Sequence, residues 1–218
     1  MPTKARRGAF ITFEGPEGSG KSTQMKLLAA RLRQAGHDVL ESQEPGGTPI
    51  GQQIRRVLLD SKNRELSPTT ELLLMFACRA QNVDQWILPA LSAGRIVLSD
   101  RFTDSTLVYQ GAARGLGAEL VYEVDRIACR GLVPDQTLVI DIDTETGLER
   151  ARRRADSIQD VETRIEEQDI AFHRKVRDAY RQLAADEPRR VKLIDGGRST
   201  EAVAADVWEA VEALLAIR

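Results

Sequence analysis

Residues 15–22 read Gly-Pro-Glu-Gly-Ser-Gly-Lys-Ser, a match to G-x-x-x-x-G-K-[ST]. Glycines at this spacing let the backbone fold around an anion with successive N–H groups pointing inward, and a helix starting at Lys21 adds its positive end. Gly15, Pro16, Glu17, Gly18, Ser19, Gly20, Lys21, Ser22 and Thr23 are therefore the candidate phosphate cradle. Lys21 would reach the β and γ phosphates as a point charge, and the Ser22 hydroxyl would serve a magnesium ion. The set suits a nucleoside triphosphate. A second group lies in "SDRFTDSTLVYQG", residues 99–111, where Asp100 closes an apolar run and could hold the magnesium shell directly or through water. Arg101 offers a fork of donors to a phosphate, and Ser105, Tyr109 and Gln110 follow on a helix start and its turn. The plainer alternatives are that Asp100 caps a helix and pairs with Arg101, and that Tyr109 only packs.

These side chains need a scaffold that brings residues 15–23 and 99–110 to one edge. Ala9–Phe13, Val39–Leu40 with their neighbours, Arg95–Ser99, Thr137–Ile142 and Val191–Ile194 are short β-rich runs, apolar on consecutive positions, as in strands covered on both faces of a parallel sheet. Helical periodicity begins near Lys21, Pro49, Pro68, Thr103, Ala118, Glu145, Val161 and Thr200, several times after a Ser, Thr or Asp cap. The alternation predicts an α/β fold: a five-stranded parallel sheet flanked by helices, in the P-loop NTPase manner. Asp100 then sits at the C-terminal end of a strand beside the one feeding the glycine loop. The 218 residues fit one domain, 1–218, without repeats or low-complexity tracts. The charged stretch Glu149–Asp169 lacks an apolar stripe wide enough for a core and predicts a lid segment at about 149–165.

Composition excludes several classes. At 42% hydrophobic and 29% charged residues, with no apolar run near the roughly 20 that a membrane span needs, neither a membrane nor an integral location is expected. The N-terminus carries basic residues without the apolar core of a secretory signal, so the expected location is the cytoplasm. Cys78 and Cys129 stand far apart with no Cys/His cluster, which predicts reduced, packed thiols rather than a zinc site. A net charge of −2 gives no global attraction for nucleic acid. His37 and His173, in a helix-end turn and on a charged helix, read as surface residues.

A glycine loop alone does not separate a switch, a motor and a transferase. The D-x-x-G and N-K-x-D segments of a guanine switch are missing, and the chain is short for a motor's coupling domains, so a small kinase fits better. The segments "FEGPEGSGKST", "QEPGGTPIGQQIR", "DRFTDSTLVYQGAARG" and "LVPDQTLVIDID" resemble bacterial thymidylate kinases, with similarity running from Phe10 to about Asp195. That resemblance implies ATP and Mg²⁺ as the donor system, dTMP as the acceptor and a homodimer. It implies that Glu44 and Arg55 line the acceptor site, Arg79 contacts the thymine, and Arg101 holds the acceptor phosphate. Ser105, Thr106 and Gln110 would contact the base edge, with Tyr109 against the sugar.

The same resemblance implies that Glu17 marks the subtype whose catalytic arginine comes from the lid, and Glu17 joins Ser22 and Asp100 as a magnesium candidate. Arg153 is the chosen lid arginine, with Arg150, Arg152, Arg154 and Arg164 nearby and a solvated helix face as the plain alternative. One departure stands out: where the family generally has a phenylalanine to stack on the thymine, this chain has Met75, followed by Phe76. Either the thioether covers the base or a helix distortion turns Phe76 inward, and Phe76 could equally be core. The acceptor phosphate has a second pKa near 6 and is mostly a dianion at neutral pH, so no general base is required. The "DGGRS" loop, Asp195–Ser199, reads as a purine contact or as a plain turn. The helical patterns Thr70–Ala93 and Leu120–Cys129 are candidate dimer surfaces by resemblance.

Overall fold

The computed structural model describes residues 7–158 and 162–217. The basic N-terminal stretch through residue 6, the helix start expected at Val161 and the side chain of Arg154 lie outside the described residues. Strands β1 (Phe10–Glu14), β2 (Val39–Gln43), β3 (Ile96–Asp100), β4 (Gln136–Asp141) and β5 (Val191–Asp195) form one parallel sheet in the order β2-β3-β1-β4-β5. Chain β3 to β4 crosses over β1, so the order reverses there, and the C-terminal ends of β1 and β3 flank the crevice in which open α/β sheets bind ligands. Phe13 is in register with Asp100, which sets Asp100 beside the start of the glycine loop.

The consecutive apolar residues are needed because each sheet face is covered. Ile11 and Phe13 pack with Leu28 and Leu32 of α1 (Lys21–Gln34) and with Val203, Val207 and Val211 of α9 (Thr200–Ala216). Phe10 and Val97 point the other way, onto Leu72 and Phe76 of α3 (Pro68–Asn82), Leu91 of α4 (Leu88–Ser92) and Val121 of α6 (Ala118–Ala128). Each such chain, fully buried, contributes about 1.5–3 kcal/mol. A third cluster joins Leu58 of α2 (Pro49–Leu59), Tyr109, Ile165 and residues Phe172, Val176 and Tyr180 of α8 (Ile170–Asp186) beside the crevice. Thr48, Ser67, Asp169 and Ser199 cap α2, α3, α8 and α9 by accepting from backbone N–H groups, and Pro49 and Pro68 occupy the first turns, as their fixed φ favours.

Three local features differ from expectation. Residues 162–169 are turn and loop, and the helix starts only at Ile170, because Asp169 caps it and Ile165 is buried. The long pattern to Ala93 contains a π-helical turn, Val83–Ile87, just before Pro89, which lacks an N–H to continue the ladder. After α5 (Thr103–Thr106) the chain widens into a π-helical turn, Leu107–Ala113, that carries Tyr109 and Gln110.

Candidate active site

At Gly18 φ is +68°, and a Cβ there would lie 2.0 Å from the carbonyl oxygen of Gly147 in α7 (Thr144–Ile158). A Cβ on Gly147 would in turn meet the Glu17 carbonyl oxygen at 2.5 Å, so the loop and the first turns of α7 touch backbone to backbone. Lys21 Nζ donates to the carbonyls of Gly15 (3.0 Å) and Pro16 (2.8 Å). Burial, then the positive charge of Arg101, pushes the Lys21 pKa down to about 8 against Asp100, Glu17 and Glu14. Ser22 Oγ donates to Asp100 Oδ2 at 2.6 Å. A hydroxyl and a carboxylate so close present the hard oxygens that magnesium takes, and one or two of these suffice when phosphates and water complete the shell.

Arg101 is the pivot of the site. Its φ of +72° is left-handed, a conformation that costs an L-residue about 1–2 kcal/mol. It is held there by its N–H on Phe13 O (2.9 Å) and by Ser99 Oγ, which donates to its carbonyl (2.8 Å). Its guanidinium donates to Glu17 Oε1 (3.0 Å) and Ser105 Oγ (3.1 Å) and lies 4.8 Å from the Tyr109 ring centre. Tyr109 donates to the same Glu17 oxygen at 2.7 Å. Burial alone would raise the Glu17 pKa, but His173, Arg101, Lys21 and Tyr109 together pull it down to about 2, so it stays a carboxylate. Its hydrogen bonds thus run to Arg101 and Tyr109, while Ser22 and Asp100 bond to each other.

The cavity, about 410 Å³, runs from Lys21 and Ser22 past Arg101 to Glu44, Arg79 and Gln110. Arg79 and Glu44 are a buried pair (Nε to Oε2, 2.6 Å), and Arg79 also donates to Thr106 Oγ1 (3.0 Å) and the Phe102 carbonyl (3.0 Å). Arg55 donates to the Pro45 carbonyl (2.8 Å) and pairs with Glu162 (2.7 Å) at the rim. Met75 lines the cavity. Phe76 does not: it is 2% exposed, in the core, with the Arg79 guanidinium 4.8 Å from its ring centre. The expectation of a base contact by Phe76 is corrected on that ground.

Two further expectations fail. His173 is 1% exposed, with Nδ1 3.5 Å from Glu17 Oε2, rather than on the surface. It shares the buried stripe of Val176 and Tyr180, at i, i+3 and i+7, which the surrounding charges of α8 mask. Arg164 is 4% exposed, donates to the Leu58 carbonyl and pairs with Glu71 at 2.7 Å, so it anchors the segment instead of moving with it. Arg150, Arg152 and Arg153 are exposed on α7. Arg153 pairs with Glu149 one turn back and lies outside the cavity that holds Lys21 and Arg101. The 195–199 loop is a turn against the glycine loop: Gly196 N donates to the Asp141 carbonyl, and a Cβ there would come within 3.2 Å of the Ser19 carbonyl.

Glu14 was not singled out by residue type, since a glutamate ending an apolar strand reads as the start of a loop. It is fully buried, accepting from Phe102 N (2.8 Å), Tyr180 OH (2.8 Å) and Ser105 Oγ. Burial, then Asp104, raises its pKa to about 7.

A family model described as thymidylate kinase matches residues 13–207. The chain is similar to a thymidylate kinase of Geotalea uraniireducens, 49% identical over 210 residues that cover 96% of this chain and 99% of that one. A thymidylate kinase of Thermomicrobium roseum is 50% identical over 202 residues, covering 93% of each. The crystal structure of thymidylate kinase from Ehrlichia chaffeensis superposes with a TM-score of 0.75 at 31% identity, over 94% of this chain and 99% of that one.

Proposed function

The chain belongs to the thymidylate kinase family and transfers the γ-phosphoryl group of ATP to dTMP, giving dTDP and ADP; we propose that Lys21, Arg101 and an arginine of α7 carry that transfer. One observation supports the division of labour: a single cavity is lined by Lys21 and Ser22 at one end, Arg101 in the middle, and Arg79 with Gln110 at the other. Phosphates of ATP lie on the N–H groups of residues 15–23, with Lys21 exchanging loop carbonyls for phosphate oxygens. Ser22 and Asp100 would hold magnesium, which would supply charge neutralisation for the phosphates. Glu17 Oε1 is taken by Arg101 and Tyr109, so Glu17 would join such a shell through Oε2, which has no hydrogen-bond partner among the described residues.

The acceptor dianion attacks without a general base, so the protein's contribution is alignment and charge. Arg101, preset by Glu17, Ser105 and its strained backbone, holds the acceptor phosphate in line. The pyrimidine lies toward Arg79, Thr106, Gln110 and Met75, with Tyr109 under the sugar and Glu44 and Arg55 at the side. Of the segment at about 149–165, the part ahead of the anchored Arg164 closes as a lid on the pivot of Gly18 and Gly147. Arg153 then leaves Glu149, an exposed pairing worth under about 1 kcal/mol, for the transferring group. Exposed Leu73, Tyr122 and Ile127 on α3 and α6 support a homodimer through those helices. No helix of the described residues is long and apolar enough to cross a membrane, and the proposed location is the cytoplasm.

Steady-state kinetics on Arg101→Ala, Arg150→Ala, Arg152→Ala and Arg153→Ala test these roles. Arg101→Ala and Arg153→Ala are expected to lower kcat by about 10³-fold or more, the scale of a lost arginine finger. Unchanged kcat in all three α7 variants contradicts the lid assignment, and unchanged kcat/KM for dTMP in Arg101→Ala contradicts the acceptor site.

A further inference from the structure

Glu71 lies outside the cavity, in the first turn of α3, where an acidic residue reads as a routine complement to the helix dipole. The structure gives it more specific work. It is 1% exposed, and both carboxylate oxygens are filled by donors. Oε1 accepts from Gln110 Nε2 (2.7 Å) and Arg114 Nε (3.3 Å), and Oε2 faces Arg114 Nη2 (3.3 Å) and Arg164 Nη2 (2.7 Å). Burial alone would raise its pKa, but Gln110, Arg114 and Arg164 pull it below the usual carboxylate range. An ionised carboxylate only accepts, whereas an amide has one donating and one accepting end. The amide of Gln110 can therefore face Glu71 only with its nitrogen, and flipping it would set two acceptors against each other in a buried site.

We infer that Glu71 is a positioning residue that selects the pyrimidine: by holding the amide nitrogen of Gln110 it leaves the amide oxygen to meet the base. Thymine and uracil carry hydrogen on N3 and donate to such an oxygen. Cytosine presents a bare N3 acceptor there and is repelled. The inference rests on the reading that Gln110 meets the base edge. It also accounts for Arg114 and Arg164, whose charges keep Glu71 ionised; Arg114 further donates to Gln168 Oε1 (2.8 Å) and lies 4.7 Å from the Phe172 ring centre.

The test is kcat/KM for dTMP, dUMP and dCMP in the wild type and in Glu71→Gln, Arg114→Met and Gln110→Met. A glutamine at 71 can donate, so the Gln110 amide is free to turn. The dTMP/dCMP ratio is then expected to fall about tenfold, the scale of one reversed hydrogen bond. The dTMP/dUMP ratio stays within about twofold, because both bases share the N3 hydrogen. Arg114→Met, which keeps the acceptor at 71, leaves the dTMP/dCMP ratio in place even where it slows both reactions. Should Glu71→Gln not fold, Glu71→Gln with Arg164→Met removes one of the two cations left without a carboxylate and carries the same expectation. A ratio that falls in Gln110→Met and holds in the folded Glu71 variant overturns the role of Glu71 alone, as does an equal fall in Arg114→Met. A ratio unmoved in Gln110→Met overturns the reading of Gln110 itself.

Discussion

Replacing Gly18 by alanine tests whether α7 is seated on the phosphate loop. The added methyl would sit 2.0 Å from the Gly147 carbonyl oxygen, and the φ of +68° is unfavourable for any L-residue. The backbone contribution is about 1–2 kcal/mol. Relieving the overlap by shifting rigid backbone adds about 1–3 kcal/mol. Gly20 is the internal control, since its φ is +96° but no heavy atom lies within 4 Å of a Cβ there. Gly20→Ala should lose only the backbone contribution. At about 2–4 °C per kcal/mol for a chain of this size, Gly18→Ala should melt about 2–12 °C below Gly20→Ala. Urea titration without nucleotide gives the same comparison in free energy, with an unchanged slope showing that both variants unfold from a compact state. Gly147→Ala, which would meet the Glu17 carbonyl at 2.5 Å, should be destabilising by itself and non-additive with Gly18→Ala, because one displacement of α7 relieves both overlaps. Equal losses in Gly18→Ala and Gly20→Ala, within about 0.5 kcal/mol, would refute the seat and with it the pivot proposed for the lid.

Three further outcomes are expected. With the free-enzyme Lys21 pKa at about 8, kcat/KM for ATP should fall above that pH, while kcat at saturating ATP persists to higher pH because bound phosphate favours the ammonium; a flat kcat/KM profile to pH 9.5 would contradict this. Glu14, raised to about 7, keeps a proton in the folded chain between its ordinary 4.5 and 7 that the unfolded chain has lost. Its contribution is thus full below about pH 4.5 and declines by about 3 kcal/mol by pH 7. Urea titrations of the wild type and Glu14→Gln should converge or cross over that window, and parallel pH dependences would contradict the burial of a titrating Glu14. Met75→Ala should raise KM for dTMP about 3–10-fold with little loss of stability. Phe76→Ala should instead lower stability by about 3–5 kcal/mol, and the reverse pattern would put Phe76 on the base.

The ends of β1 and β3 were legible because both signals there are local. Three glycines with Lys21 and Ser22 need only a strand before and a helix after, and Asp100 with Arg101 closes an apolar run. What escaped depends on partners far away in sequence. Glu14 becomes a proton-holding group through burial and the charge of Asp104, in a site that Tyr180, 166 residues on, helps to close. Arg164 and His173 carry the charge and polarity of surface residues, yet Glu71 and Glu17 draw them inside. Met75 and Phe76 are adjacent, so only the rotation of α3 decides which faces the cavity. The π-helical turn at Leu107–Ala113 has no residue signature, though it carries Tyr109 and Gln110.

The most direct test of the account is ADP release and product identity with purified protein, ATP and Mg²⁺, offered dTMP, dUMP, dCMP, dGMP, AMP or no acceptor in parallel. The account predicts that dTMP is preferred, with dTDP formed in step with ADP. ADP release at the no-acceptor rate with every nucleotide would contradict it.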